Sequence, residues 1–261
     1  MKRSILTIVV AIFAMATAHQ AMAWNNIGHA SIAYIAEQHL TPEAKQKCRK
    51  YLRHTLPYHA SWMDYWRNCE GFEESNYWHS VPVAANNKHY KSESRNAAYQ
   101  VTRICKKMRK YEKLKDSIVC DNLKYLIHMV GDMHCPSHSK YVDEPALKQG
   151  RFIFEGKKFK FHTFWDSSIG FCHKGMNCAD LQRTYDTLSA EEIAKICEGT
   201  PSDWAYTNAV EMREAHQLIN PDTDYDELSD EQKARIKAIT EKQMLRGGYR
   251  LAHILNEIFN H

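Results

Sequence analysis

In NLKYLIHMVGDMHCPSH, residues 122–138, His128 and Asp132 stand four positions apart and His138 follows shortly after them. A helix carries residues i and i+4 on one face. A neutral imidazole would therefore meet a carboxylate there, a pair that suits zinc or another transition metal. His162 and Asp166, in FHTFWDSSIG, repeat the spacing. Alone, either pair reads more readily as a capped or salt-bridged surface histidine. Two such pairs in one chain turn the reading towards a metal.

The elements that must carry these pairs are helical. Leu123, Leu126, Ile127 and Val130 form an apolar stripe at helical spacing and leave His128 and Asp132 on a neighbouring face. Pro136 should end or kink that helix, because the residue before a proline is pushed out of the α region, so His138 is expected to return from a turn. Cys135, between His134 and Pro136, reads as structural, with metal ligation the lesser alternative. Ile32, Ile35, Ala36 and Leu40 follow helical spacing, and Thr41-Pro42-Glu43 then restarts a helix. Ser189 with Glu192 and Ser229 with Gln232 are capping-box starts. Leu251, Ile254, Leu255 and Ile258 give the last helix a buried stripe. Alternation of the β kind is confined to Arg151–His162, a hairpin expected around Glu155-Gly156. Internal repeats and low-complexity linkers are absent. The expected fold is all-α, a mostly helical single domain with one small β-hairpin excursion.

The first residues are a separate matter. Lys2 and Arg3 precede an apolar run from Ile5 to Ala16, and Ala21-Met22-Ala23 fits a small-x-small cleavage site, so residues 1–23 read as a signal peptide. The run is shorter than the roughly 20 residues of a membrane span. Cleavage would leave residues 24–261, beginning at Trp24, and places the protein in a periplasm or outside the cell. The remaining chain has 33 basic against 31 acidic residues, so no global positive field argues for duplex nucleic acid. Its eight cysteines make disulfides an expectation for an exported chain, but eight allow 105 pairings and none sits in a CxxC ribbon.

Three further segments carry donor residues: WNNIGH from Trp24 to His29, Asp64 with Arg67 three residues later, and Trp78-His79. In this order, with His128, Asp132, His138, His162 and Asp166, the chain resembles the zinc-dependent single-strand-specific nuclease and 3′-nucleotidase family, the S-one/P-one type. The resemblance runs from Trp24 to the C-terminal RLAHILNEIF. Each motif is weak alone; their order and spacing make the match.

The resemblance implies a helical fold of the phospholipase C and zinc nuclease type holding three zinc ions. Asp64, His79, His128 and Asp132 would hold the first. The amino group and carbonyl oxygen of Trp24, with His29 and a bridging Asp132, would hold the second. His138, His162 and Asp166 would hold the third, with positions left open. Asp64, Arg67 and Asp132 are the expected catalytic residues, Arg67 as a bidentate phosphate contact. Paired divalent ions lower the pKa of bound water from 15.7 towards about 7, so attack by a metal-bound hydroxide and release of 5′-phosphate products are expected. Single-stranded DNA, RNA and 3′-nucleotides are the expected substrates of a monomer with no membrane and no stable protein partner.

One departure stands out. The fungal members place an aromatic residue and then an aspartate soon after the ligand histidine to hold a base, whereas Ser80, Val81 and Pro82 follow His79. Tyr77 and Tyr141 are the alternative stacking candidates, and Trp62, Trp66, Trp78 and Trp165 are expected to form a dry wall. His134 reads as structural; His39, His54, His59, His89, His173, His216, His253 and His261 have no partner spacing. Two rival readings remain, a zinc-dependent phospholipase C-like phosphodiesterase and a non-catalytic exported zinc-binding protein. Against the first, no exposed amphipathic stretch demands a membrane. Against the second, His and Asp donors suit open sites better than closed structural ones.

Overall fold

Side-chain caps set many of the helix starts. The structure is a computed structural model that describes residues 25–84, 95–142, 151–218 and 223–260. Helix α1 (Asn26–Gln38) begins where the Asn25 side chain accepts from the Gly28 amide, and α2 (Pro42–Leu52) where Thr41 accepts from the Ala44 amide. Two short helices, α3 (Leu56–His59) and α4 (Trp62–Trp66), precede a 3-10 turn at Glu73–His79 and strand β1 (Val81–Val83). Helix α5 (Ala97–Met108) and the long α6 (Asp116–Asp132) follow. A second 3-10 turn at Pro136–His138 leads into β2 (Ser139–Tyr141).

The hairpin β3 (Arg151–Phe154) and β4 (Lys157–Lys160) then delivers the chain into α7 (Phe161–Cys172). Helices α8 (Cys178–Tyr185), α9 (Ala190–Cys197), α10 (Pro201–Gln217) and α11 (Asp230–Phe259) complete the fold. Both expected capping boxes form, Ser189 with Glu192 and Ser229 with Gln232. The hairpin turns at Glu155 and Gly156, both with positive φ, as a tight two-residue turn demands. The mostly helical expectation therefore holds. The sequence did not announce the parallel pairing of β1 with β2, in which Pro82 lies opposite Lys140; three residues per strand are too few to display an alternating pattern.

The apolar interior has two clusters. One gathers Ala33, Ala36, Val101, Leu126 and Leu255; the other Ile32, Ile35, Phe164, Ile236 and Tyr249. Helices α1 and α11 contribute to both, so they are the shared spine. Their approach is close: a Cβ on Gly248 would stand 2.4 Å from Ile35 Cγ2 and 3.2 Å from the Ile32 carbonyl oxygen. Only a residue without a Cβ fits this crossing.

All eight cysteines are free, which corrects the disulfide expectation. They are spread through the fold: Cys48 lies in the first cluster, Cys135 and Cys197 in the second. Burial pushes the Cys48 thiol up to about 12 and those of Cys105, Cys172 and Cys197 up to about 11, which keeps them protonated and unreactive. The leader segment, Trp24, His89 and His261 lie outside the described residues. Among the described residues no helix is long and apolar enough to cross a membrane.

Candidate metal centre

Helix α6 sets the centre of the site. Its apolar stripe faces the first cluster, and its last turn directs His128 and Asp132, both with no solvent exposure, towards α1 and α4. The helix stops at Asp132, four residues before Pro136, as the proline requires. The following turn brings His138 back, and β1 and β2 then tie the His79 and His138 segments together. Helix α1 presents His29, α4 presents Asp64, and α7 presents His162 and Asp166.

The donor atoms converge. Asp132 Oδ2 lies 2.9 Å from His79 Nδ1 and 3.3 Å from His128 Nε2, while its other oxygen, Oδ1, lies 3.3 Å from His29 Nε2. Asp64 stands 3.8 Å from both His79 Nδ1 and His128 Nε2. On the far side, His138 Nε2 and His162 Nε2 face each other at 2.9 Å, with Asp166 oxygens 3.6 Å and 3.4 Å from them. Tetrahedral donors at about 2.1 Å from an ion stand about 3.4 Å apart, so these separations are those of ligand shells.

The orientation of the rings agrees. His128 Nδ1 donates to the Ala60 carbonyl at 2.8 Å, and His138 Nδ1 donates to the carbonyl of His79, which leaves each Nε2 bare towards the cluster. Both Asp64 oxygens, Asp132 Oδ1, Asp166 Oδ2 and both His29 ring nitrogens are buried without a hydrogen-bond partner. Buried polar groups are normally satisfied. A cation is the partner that such a set of lone pairs fits, and a structural hydrogen-bond network is not.

Electrostatics carry the same strain. Burial alone would lower His128, but the Asp132 and Asp64 carboxylates outweigh it and raise its pKa to about 9. Burial would raise Asp132, yet His128 and His138 hold it well below the usual carboxylate range. Burial raises Asp64 and lowers His79; burial, then the His128 charge, lowers His29 to about 4. Protons and a metal ion would thus compete for the same donors.

Several residues that matter were not legible as such. Gly131 admits the His29 ring: a Cβ there would stand 2.7 Å from His29 Nδ1. Ser137 donates to Asp166 Oδ1 at 2.7 Å and the Cys135 thiol donates to the same oxygen at 3.3 Å, which leaves Oδ2 free of hydrogen bonds. Burial and then Asp166 push that thiol well above its ordinary value. Cys135 is therefore a buried structural donor, although it lies in one triad with His138 and Asp166. His134 is structural as expected: its Nδ1 donates to Val130 and its Nε2 accepts from Arg250 at 2.9 Å.

A cavity of about 290 Å³ opens beside the cluster, walled by Arg67, His79, His138 and His162, and also by Lys140 and Phe161. Arg67 Nη1 is anchored 3.6 Å from Asp64. Trp62, Trp66, Trp78 and Trp165 are not among the described residues that line this cavity. Trp62, Trp66 and Trp78 form an aromatic group with Phe72 and Tyr125, and Trp165 is wholly buried. Tyr141 is buried with its hydroxyl on the Ala209 carbonyl and offers no stacking face; Tyr77 is exposed beside Arg95 and is not on the cavity wall. Trp24 is outside the described residues, but the next residue is fixed nearby, since the Asn25 amide donates to the Asp166 carbonyl at 2.6 Å.

Comparison with known proteins gives the same answer as the donor set. The family model described as S1/P1 nuclease matches residues 24–260. The chain is 23% identical to nuclease S1 of Aspergillus oryzae across 77% of its own length and 72% of that protein. It is 23% identical to nuclease P1 of Penicillium citrinum across 90% and 97%. Against endonuclease 2 of Arabidopsis thaliana it is 21% identical across 98% and 97%. A family-model match over nearly the whole chain, beside the buried His and Asp groups able to hold metal, means that this protein belongs to the S1/P1 nuclease family, whose substrates are nucleic acids.

Proposed function

We propose that residues 24–261 form one exported domain that hydrolyses single-stranded DNA and RNA to 5′-phosphate products and removes phosphate from 3′-nucleotides, with three zinc ions. The observation that carries this reading is Asp132, whose two oxygens face different histidines, His29 on one side and His79 with His128 on the other. That is the arrangement a carboxylate bridge between two cations needs. Trp24 and His29 would hold one ion with Asp132; Asp64, His79 and His128 another with it; His138, His162 and Asp166 the third. When bound, the ions supply charge for the developing oxygens and a nucleophile at neutral pH.

The chain's own groups do the rest. Arg67, held by Asp64, offers its planar fork to the phosphate at the cavity. Ser137 and Cys135 fix the Asp166 carboxylate, and the Ala60 and His79 carbonyls fix the tautomers of His128 and His138. A pocket that takes one splayed nucleotide favours single strands, because unstacking a duplex costs a few kcal/mol. The deciding experiment gives zinc-replete protein starting at Trp24 single-stranded DNA, RNA, matched duplex, a 3′-nucleotide and a choline phospholipid. Turnover of the first two and the nucleotide, with slower duplex cleavage, is expected. Turnover of the phospholipid alone, or of nothing, would replace this reading with one of its rivals.

A further inference from the structure

We propose that Lys140 makes this site select its substrate by a second phosphate on the strand, and not by the base. The inference rests on the nuclease reading above and concerns what the cavity holds beyond the scissile group. Among its described lining residues are two basic side chains, Arg67 and Lys140, and no carboxylate side chain. Arg67 is tied to Asp64 at the metal cluster. Lys140 is exposed and has no acidic side chain within ion-pair distance among the described residues. The strand pairing explains its position: Ser139 and Tyr141 are buried on one face of β2, so Lys140 stands on the other, opposite Pro82 of β1.

Among the described lining residues few groups are placed to read a base. Apart from the histidines, the one ring among the described lining residues is Phe161, which is 7% exposed with one face covered by the stacked His216 ring at 4.4 Å. Asn76 donates its side-chain NH2 to the Arg67 carbonyl and Ser137 its hydroxyl to Asp166. The Lys140 ammonium beside the cluster, with no acidic partner among the described residues, is a point charge suited to a phosphate and indifferent to the base. A substrate with a phosphate next to the scissile one would meet both cations; a substrate with one phosphate would meet only Arg67 and the metals.

The test compares a trinucleoside diphosphate with a dinucleoside monophosphate of the same bases, using zinc-replete protein. Wild type should prefer the longer substrate in kcat/KM, and Lys140→Met should reduce that preference about fivefold through KM, the worth of one exposed charge pair. Lys140→Arg should restore it. With zinc-replete protein and a non-cleavable single-strand analogue, binding should lose about 0.7 from its log–log salt slope in Lys140→Met, one phosphate contact fewer. An unchanged preference or slope in Lys140→Met would overturn the inference while the nuclease reading stands. So would a loss that depends on base identity. Failure of wild type to cleave either substrate would instead overturn the nuclease reading, and this inference with it.

Discussion

Asp132 and Gly131 show how much one position can decide. If Asp132 bridges two ions, Asp132→Asn keeps the size and removes the charge that both need, and zinc content after dialysis should fall by more than one ion with activity lost. Unchanged metal and rate would remove the bridge. Gly131→Ala is the subtler change, since alanine favours the helix by about 1 kcal/mol while its Cβ would press to 2.7 Å from His29 Nδ1. His29 must move, so the variant should match His29→Ala in zinc loss while its circular dichroism stays helical. A fully metallated, active Gly131→Ala would mean that His29 has another place to go.

At the scale of elements, the α1–α11 crossing and the anchoring of α8 are the features to probe. Gly248→Ala gains at most about 1 kcal/mol in helix propensity, but overpacking costs about 1–3 kcal/mol. The atoms it meets are the branched Cβ region of Ile35 and the Ile32 backbone, which cannot swing aside. We expect a lower Tm, partly restored by Ile35→Ala in the same chain. The second feature is Asp186, at the end of α8, which accepts from Tyr249 at 2.6 Å and Gln182 at 2.9 Å and pairs with His39 at 2.8 Å. Burial alone would raise its pKa, yet the hydrogen bonds from Tyr249, Gln182 and His39 hold it below the ordinary carboxylate value. A depressed folded pKa means stability that is present above the unfolded value, near 3.9, and is lost as pH falls through the folded one. With chelator present, the stability gap between wild type and Asp186→Asn should shrink as pH drops below about 4. A gap that widens in acid would reverse the assignment.

At the scale of the whole molecule, buried carboxylates and imidazoles at the meeting point of α1, α4, α6 and α7 would make a bound metal part of the fold's stability. Removing zinc should lower Tm and add a dependence on metal concentration, because an ion that binds only the folded chain stabilises it. The N-terminus is a second global test. The Asn25 amide is bound to the Asp166 carbonyl, and the amine that processing would free at Trp24 is the proposed ligand. Protein starting at Trp24 should carry three zinc ions and be active. One extra residue before Trp24 turns the amine into an amide and should cost about one zinc and most activity, with the helices intact. Full activity in the extended chain would sink the terminal ligand.

The sequence by itself determined the helical architecture, the capped helix starts, the hairpin at Glu155-Gly156, and the His and Asp spacings, because each depends on neighbours within a few residues. Those spacings, taken in order, also pointed to the family. Tertiary structure alone decided the rest. That Asp132 faces two sets of histidines, that Gly131 yields room to His29, that Ser137 and Cys135 hold Asp166, and that Lys140 joins Arg67 on one wall all depend on segments distant in the chain. The same reason explains the corrections. Tryptophans beside ligands in sequence point away from the cavity because neighbours on a helix face different directions, and cysteines that could pair in principle are free in the folded chain. Periodicity specifies which face of an element is apolar; what that face meets is settled only when the whole chain packs.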